Sequence, residues 1–334
     1  MPTPNIINWT DLMMVWEYAR SPLMWRRIGR RLSGRFGKPK GDIFAQSKTA
    51  DSSQIREWLW WLVPQVRRRA YEEVTGSPDI PFKKYFAEKY LKERVPRAAS
   101  LLCGAGHCER EWLEYVQFDS FEGYDISEAS LNQARTVAER EGFACLKYSQ
   151  ANINKIELQA ESYDVIFVEY GLHHLAQLDH VLLKIKRALK PTGLLVTVEY
   201  IGNNFFQWDR QHSEYADAML HLIPKKWRRW AFNSNRTKSH CIRPGRLRMY
   251  IEDPSESLRP QEIVPLIRSN FRVLEERPFS GGLMQRVLDG IAWNFIDASP
   301  ESDSMIDCLF EIERTLTSGG HVEPHFIWMI AAPE

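Results

Sequence analysis

Residues 98–111, AASLLCGAGHCERE, pass from a small apolar run through a glycine-cornered corner into a charged stretch. The pattern predicts a strand ending over 100–102, a turn over Cys103, Gly104, Ala105 and Gly106, and a helix over HCEREWLEYV. Two glycines let the backbone take positive φ and approach a ligand closely, and the helix start offers unpaired N–H groups to a polar or anionic moiety. Leu102 stands where a first glycine of such a loop is expected.

Downstream, short apolar runs alternate with helical segments: FEGYDI (121–126), SEASLNQARTVAEREG (127–142), YDVIFVEYG (163–171), LDHVLLKIKRALKPTG (178–193) and LLVTVEY (194–200). Strands alternating with helices of this length predict βαβ units, a parallel sheet and right-handed crossovers, hence a doubly wound α/β core. Ser127 is the expected N-cap of the helix that follows, with Ser130 at the box position and Gly142 as its stop. Lys190, Pro191 and Gly193 predict a sharp turn from helix to strand.

Upstream, residues 1–95 are Trp-rich and read as helices, with Gly76 as a stop. Beyond the core, 202–258 is a polar, aromatic and basic excursion, expected as a helical or loop insert covering a substrate pocket. Strand patterns resume in 259–334 at FRVLEERPF (271–279) and HFIWMIAAP (325–333). The expected division is therefore 1–95, a core over 96–201, the insert 202–258, and 259–334 completing the core.

With 334 residues, 44% hydrophobic and 26% charged, the chain has the composition of a globular protein. A net charge of +1 gives whole-molecule electrostatics no preference for an anionic partner such as nucleic acid. The charge is uneven: 20–40 holds eight Lys or Arg and no acid, a solvated face or arm that leaves room for contact with a membrane surface. Five cysteines without a CxxC pair, no leader pattern at the start and no long apolar run predict a cytoplasmic protein without a membrane span.

Several residues at predicted strand ends suit chemistry. Asp125, about 20 residues after the turn, can accept both hydroxyls of a ribose; the alternative is a cap for the next helix. Asn152, in SQANIN after the third strand, suits an adenine amino group or simply a turn. The fourth strand opens into Glu169, Tyr170, Gly171, His173 and His174, at the sheet edge where open α/β folds bind ligands.

The succession of glycine turn, acidic residue, YDVIF…LHHL and RALKPTG resembles the class I S-adenosylmethionine-dependent methyltransferases. The family's three alternate loop glycines map onto Leu102, Gly104 and Gly106, and Ser100 stands where an acid is common. The resemblance implies a Rossmann-like doubly wound sheet of seven strands, the last antiparallel, with an N-terminal helical region and a helical lid insert. It implies S-adenosyl-L-methionine held by Cys103, Gly104, Ala105, Gly106, Asp125, Ile126, Asn152, Ile153 and Glu169. A looser likeness, through the Trp-rich start, VEYIGNNFFQWDRQ and DPSES…IVPLI, is to bacterial enzymes of glycan or natural-product pathways, and implies a small-molecule or saccharide acceptor.

Methyl transfer from a sulfonium is an in-line displacement, and an alcohol acceptor benefits from a base near neutral pH. His173 is the expected base, with His174 as its neighbour, the alternative being that the LHHL pair packs and caps the next helix; adjacent residues are expected to face different ways, so only one should serve. Glu199 is expected to orient the base, to act as one, or to pair with an arginine. Glu169 with Tyr170 and Glu199 with Tyr200 should sit side by side at the mouth, and Tyr170, Tyr200, Trp208 and His212 are expected against the substrate. The scattered histidines 212, 221, 240 and 321 give no metal-ligand spacing, and no metal is expected. Two other readings stay open: a methyltransferase for nucleic acid or protein, and a non-catalytic cofactor-binding module in which the aromatic helices form an interface. A homodimer is compatible with each.

Overall fold

The structure is a computed structural model, and it describes residue 11 and residues 60–91, 94–231 and 233–334. The basic segment 20–40 lies outside the described residues.

A 3-10 turn over Trp60–Leu62 leads into α1 (Pro64–Thr75), which ends at Gly76 with φ 82°, as its glycine stop predicts. α2 (Phe82–Tyr90) follows, and β1 (Arg94–Leu101) then starts slightly ahead of the expected core boundary. The core continues as α3 (His107–Trp112), β2 (Gln117–Asp125), α4 (Glu128–Glu141), β3 (Leu146–Gln150), β4 (Tyr163–Glu169), α5 (Leu178–Ala188) and β5 (Leu189–Tyr200). Ser127 accepts from the Ser130 N–H at the start of α4, and Gly142 closes that helix at φ 75°. The Lys190–Gly193 stretch is a correction. No turn separates helix from strand there; β5 begins directly at Leu189, and an irregularity in its pairing at Tyr163/Val165 absorbs the bend.

The segment after β5 carries α6 (Arg210–Leu222) and α7 (Arg246–Glu252), then α8 (Pro260–Asn270), β6 (Phe271–Phe279), α9 (Met284–Leu288), α10 (Pro300–Ser318) and β7 (Phe326–Pro333). The sheet order is β3-β2-β1-β4-β5-β7-β6. β7 slots between β5 and β6, antiparallel to both, while the other neighbouring pairs run parallel. This is the seven-stranded, Rossmann-like α/β fold with an antiparallel last strand.

Strands buried on both faces have to be apolar throughout, and alternate residues then feed opposite cores. Val165 and Phe167 of β4 join one core with Phe86, Trp112 and Trp328, whereas Ile166 and Val168 join the other with Val181, Ile185 and Ile267. Trp112 and Phe167 pack with ring centroids 4.5 Å apart. Such burial, about 1.5–3 kcal/mol for each large side chain, holds α3 against β4 and so fixes the loop between β1 and α3. No helix among the described residues is long and apolar enough to cross a membrane.

Candidate functional site

The loop after β1 answers the question Leu102 poses. Leu102, Gly104 and Gly106 all have positive φ, 59°, 56° and 74°. Leucine takes the left-handed conformation in which an L side chain is strained by about 1–2 kcal/mol, so the loop keeps its shape without its first glycine. A Cβ on Gly104 would meet nothing within 4 Å, which leaves the backbone open to a ligand. A Cβ on Gly106 would run into the Tyr148 hydroxyl.

Asp125 ties the loop to the end of β2. Its Oδ2 accepts the Gly104 N–H (2.9 Å) and its Oδ1 accepts the Ser127 N–H (2.8 Å). Both carboxylate oxygens are thus engaged, one supporting the loop and the other the N-cap residue of α4. Of the other residues expected at the cofactor, Cys103 and Ala105 are half-buried in the loop, and the Ile126 carbonyl accepts from the Gln150 amide (2.9 Å). Asn152 Oδ1 accepts the Asn154 N–H (3.0 Å) and closes a local turn, and Ile153 is buried in the core.

Glu169 turns inward. Its Oε1 accepts from Trp112 Nε1 (2.7 Å), and Oε2 lies 3.2 Å from the ammonium of Lys83, brought in by α2. Burial would push Lys83 down, but Glu169 and Glu111 outweigh it and hold the ammonium well above its ordinary value.

At the ends of β4 and β5 the chain builds a second constellation. Glu199 is fully buried, and its Oε1 accepts the N–H groups of Gly171 (2.6 Å) and Leu172 (2.7 Å). Its Oε2 accepts from His173 Nδ1 (2.7 Å). The carboxylate is thus fully engaged: it orients His173, and the expected alternative of an arginine partner is not what holds it. Fixing Nδ1 leaves His173 Nε2 as the ring's outward atom, 3.4 Å from Glu256 Oε1.

The two histidines face together, contrary to the expectation that adjacent residues diverge. Their rings lie 4.3 Å apart, and His174 Nε2 is 3.7 Å from the second oxygen of Glu256. The cause is the partner: one carboxylate offers an oxygen to each ring. Glu256 comes from the DPSES stretch, where Asp253 Oδ1 accepts the Ser255 N–H (2.9 Å) in a tight turn. That turn is tied down by Leu258 N–H to the His173 carbonyl (2.9 Å) and by the approach of Ser255 Oγ to His174 Nδ1 (3.2 Å). Burial would push His173 down, yet Glu199 and Glu256 outweigh it and hold the ring up to about 10.

Backbone strain gathers around this constellation. Tyr170, Phe205, Phe206 and Ser257, none of them glycine, have φ of 54°, 54°, 52° and 56°. Such residues persist where surrounding contacts over-determine them, and they concentrate at sites of function.

The expected mouth residues separate. Glu199 and Tyr200 are buried and Glu169 points into the α3 face, so of the two Glu–Tyr pairs only Tyr170 is exposed. Tyr200 packs its ring against Phe206, His325 and Phe326, with His173 6.3 Å away. Trp208 is buried with the guanidinium of Arg286 4.1 Å over its ring, and His212 stacks on His325 at 5.7 Å. Burial pushes His325 down to about 3. Glu256 belongs to the constellation and Lys83 pairs with Glu169 on the α3 face; neither was singled out in the sequence, although Glu256 had a signal in the Asp-Pro-Ser turn that presents it.

A glycine-type loop, a carboxylate at the end of β2 and a polar cluster at the ends of β4 and β5 define a ligand-binding α/β fold with its site at the carboxyl edge of the sheet. Residues 101–262, just under half of the chain, match a family model described as a methyltransferase domain. The ubiquinone/menaquinone biosynthesis C-methyltransferase UbiE of Campylobacter jejuni subsp. jejuni serotype O:23/36 (strain 81-176) is 24% identical over 141 residues, 40% of this chain and 57% of that protein. The N-terminal Xaa-Pro-Lys N-methyltransferase 1 of Homo sapiens is 29% identical over 127 residues, 36% of this chain and 57% of that protein. Both matches thus span little more than half of the relatives' length. Among solved structures, the Haemonchus contortus phosphoethanolamine N-methyltransferase 2 in complex with S-adenosyl-L-methionine gives a TM-score of 0.47 at 15% identity, covering 81% of this chain and 57% of that one.

Proposed function

We propose that the protein is an S-adenosylmethionine-dependent methyltransferase acting on an oxygen of a small molecule or saccharide. The observation that carries the reading is the buried Glu199–His173 pair, aimed from the ends of β5 and β4 at Glu256 and set on the same sheet edge as the positive-φ loop.

The residues present fit the cofactor. Gly104 leaves open space above the loop backbone, and Asp125 at the end of β2 ties its carboxylate to that loop. Gly104, Ala105, Gly106 and Asp125 would hold it, and when bound it supplies an electrophilic methyl group. The chain's own task is then to position the acceptor and handle one proton. Glu199 fixes the His173 ring so that Nε2 faces Glu256, and the acceptor's hydroxyl enters between these two groups. Because both carboxylates favour the charged ring, His173 keeps its Nε2 proton directed at Glu256, and the Glu256 carboxylate takes the proton that the hydroxyl releases. Strained Tyr170 lines the approach, and Tyr200 and Trp208 form the apolar backing.

The test is calorimetric titration of the protein with S-adenosylmethionine and S-adenosylhomocysteine, with an Asp125→Ala variant alongside. Micromolar binding that weakens at least tenfold in the variant is expected. Folded wild-type protein that binds neither compound would overturn the reading and leave the cofactor loop without its ligand.

A further inference from the structure

The cluster at the ends of β4 and β5 has a second property, independent of the cofactor loop. His173, His174 and Glu256 each offer one ligand atom, and these atoms all lie within 4.8 Å of one another. Individual separations are 3.4 Å between His173 Nε2 and Glu256 Oε1, and 3.7 Å between His174 Nε2 and Glu256 Oε2. Ligands at about 2.0–2.2 Å from a tetrahedral zinc ion are roughly 3.3–3.6 Å apart, so the side chains need little movement to share one ion.

The surroundings match what such an ion requires. A metal-binding imidazole normally uses its other nitrogen to bond a carboxylate, carbonyl or hydroxyl, which fixes the ring. His173 Nδ1 is held by Glu199 at 2.7 Å, and His174 Nδ1 lies 3.2 Å from Ser255 Oγ. Ser255 in turn donates to Asp253 Oδ1 (2.6 Å). Both rings therefore present Nε2 to the same point, with supports behind them already in place. Two imidazoles and one carboxylate suit a first-row divalent transition ion, and three protein ligands leave a coordination position open.

We infer that His173, His174 and Glu256 form a binding site for one divalent transition-metal ion, which receives the acceptor's oxygen at its open position. The inference rests on the reading of this cluster as the place where the acceptor's oxygen is activated. An ion bound here would displace the proton that the His173–Glu256 pair otherwise keeps and would acidify the acceptor's hydroxyl at its open position, whose proton would then leave to solvent.

The experiment uses the tag-free full chain, stripped with a chelator, returned to buffer and titrated with Zn2+, followed by gel filtration and elemental analysis. Co2+ is titrated in parallel and followed by its visible absorption. The wild type should retain one equivalent of zinc and give the intense bands of low-coordinate cobalt. His174→Ala and Glu256→Gln, each checked for folding by circular dichroism, should lose both signals. His240→Ala, at an exposed histidine outside the cluster, should keep them. A wild type that retains no zinc after micromolar loading, or retention unchanged in both cluster variants, would overturn the inference. S-adenosylhomocysteine binding is measured on the same stripped samples. Binding that persists without metal retention overturns the metal site and leaves the methyltransferase reading standing; metal retention without cofactor binding does the reverse.

Discussion

Leu102 provides a test in which glycine and alanine should exchange their usual order. The residue sits at φ 59°, with its side chain packed close to Gly171 and partly buried against the core. Removing that side chain loses burial in both Leu102→Ala and Leu102→Gly, so the informative quantity is the difference between the two variants. Alanine keeps the left-handed penalty of about 1–2 kcal/mol, whereas glycine escapes it and loses about 0.5–1 kcal/mol through its freer unfolded chain. Glycine should therefore win by about 0.5–1 kcal/mol. At an ordinary negative-φ position alanine would win by a similar amount. Urea unfolding of both variants without cofactor, followed by tryptophan fluorescence, reads the difference directly. An alanine variant as stable as the glycine variant, or more so, would refute the claim that the loop holds its shape against strain at Leu102.

Three further outcomes are expected. Gly106→Ala combines φ 74° with a Cβ driven into Tyr148, so it should cost about 2–4 kcal/mol in thermal unfolding and abolish S-adenosylhomocysteine binding in calorimetry. Glu199→Ala strands the Gly171 and Leu172 N–H groups and the Nδ1 of His173; a loss of about 3–5 kcal/mol by urea unfolding is expected, and a loss under about 1 kcal/mol would contradict the role given to that carboxylate. Burial raises Glu109 from 4.5 to about 7, so the folded state binds its proton more tightly than the unfolded chain. That stabilisation is complete below pH 4.5 and is lost as pH rises through about 7. Glu109→Gln should then match the wild type near pH 4.5 and exceed it by up to about 3 kcal/mol at pH 8, as measured by denaturant unfolding across pH.

The sheet was legible because its signals are local. Alternation of short apolar runs with helical stretches marks βαβ units, and Ser127, Gly76 and Gly142 end or begin helices where their own chemistry requires. Asp125 was legible from its spacing after the turn; its carboxylate ties the loop to the end of β2, while Ser127 caps the helix that follows. The Lys190–Gly193 stretch was misread because proline and glycine also fit the ragged start of a strand whose pairing is interrupted. The cluster of His173, His174 and Glu256 was half legible. His173 and His174 stand out at the end of an apolar strand, but Glu256 lies some eighty residues away, and only tertiary packing of the DPSES turn brings its carboxylate to both rings. The inward turn of Glu169 likewise depends on Lys83 and Trp112, which no spacing rule links to it.

The most direct test of the account is a crystal structure of the full chain with S-adenosylhomocysteine. The ribose hydroxyls should lie on the Asp125 carboxylate, the ligand should run over Gly104 with Leu102 still at positive φ, and its sulfur should point toward Tyr170 and the His173–Glu256 pair. Ligand bound elsewhere on the chain, or bound with its sulfur turned away from the ends of β4 and β5, would contradict it.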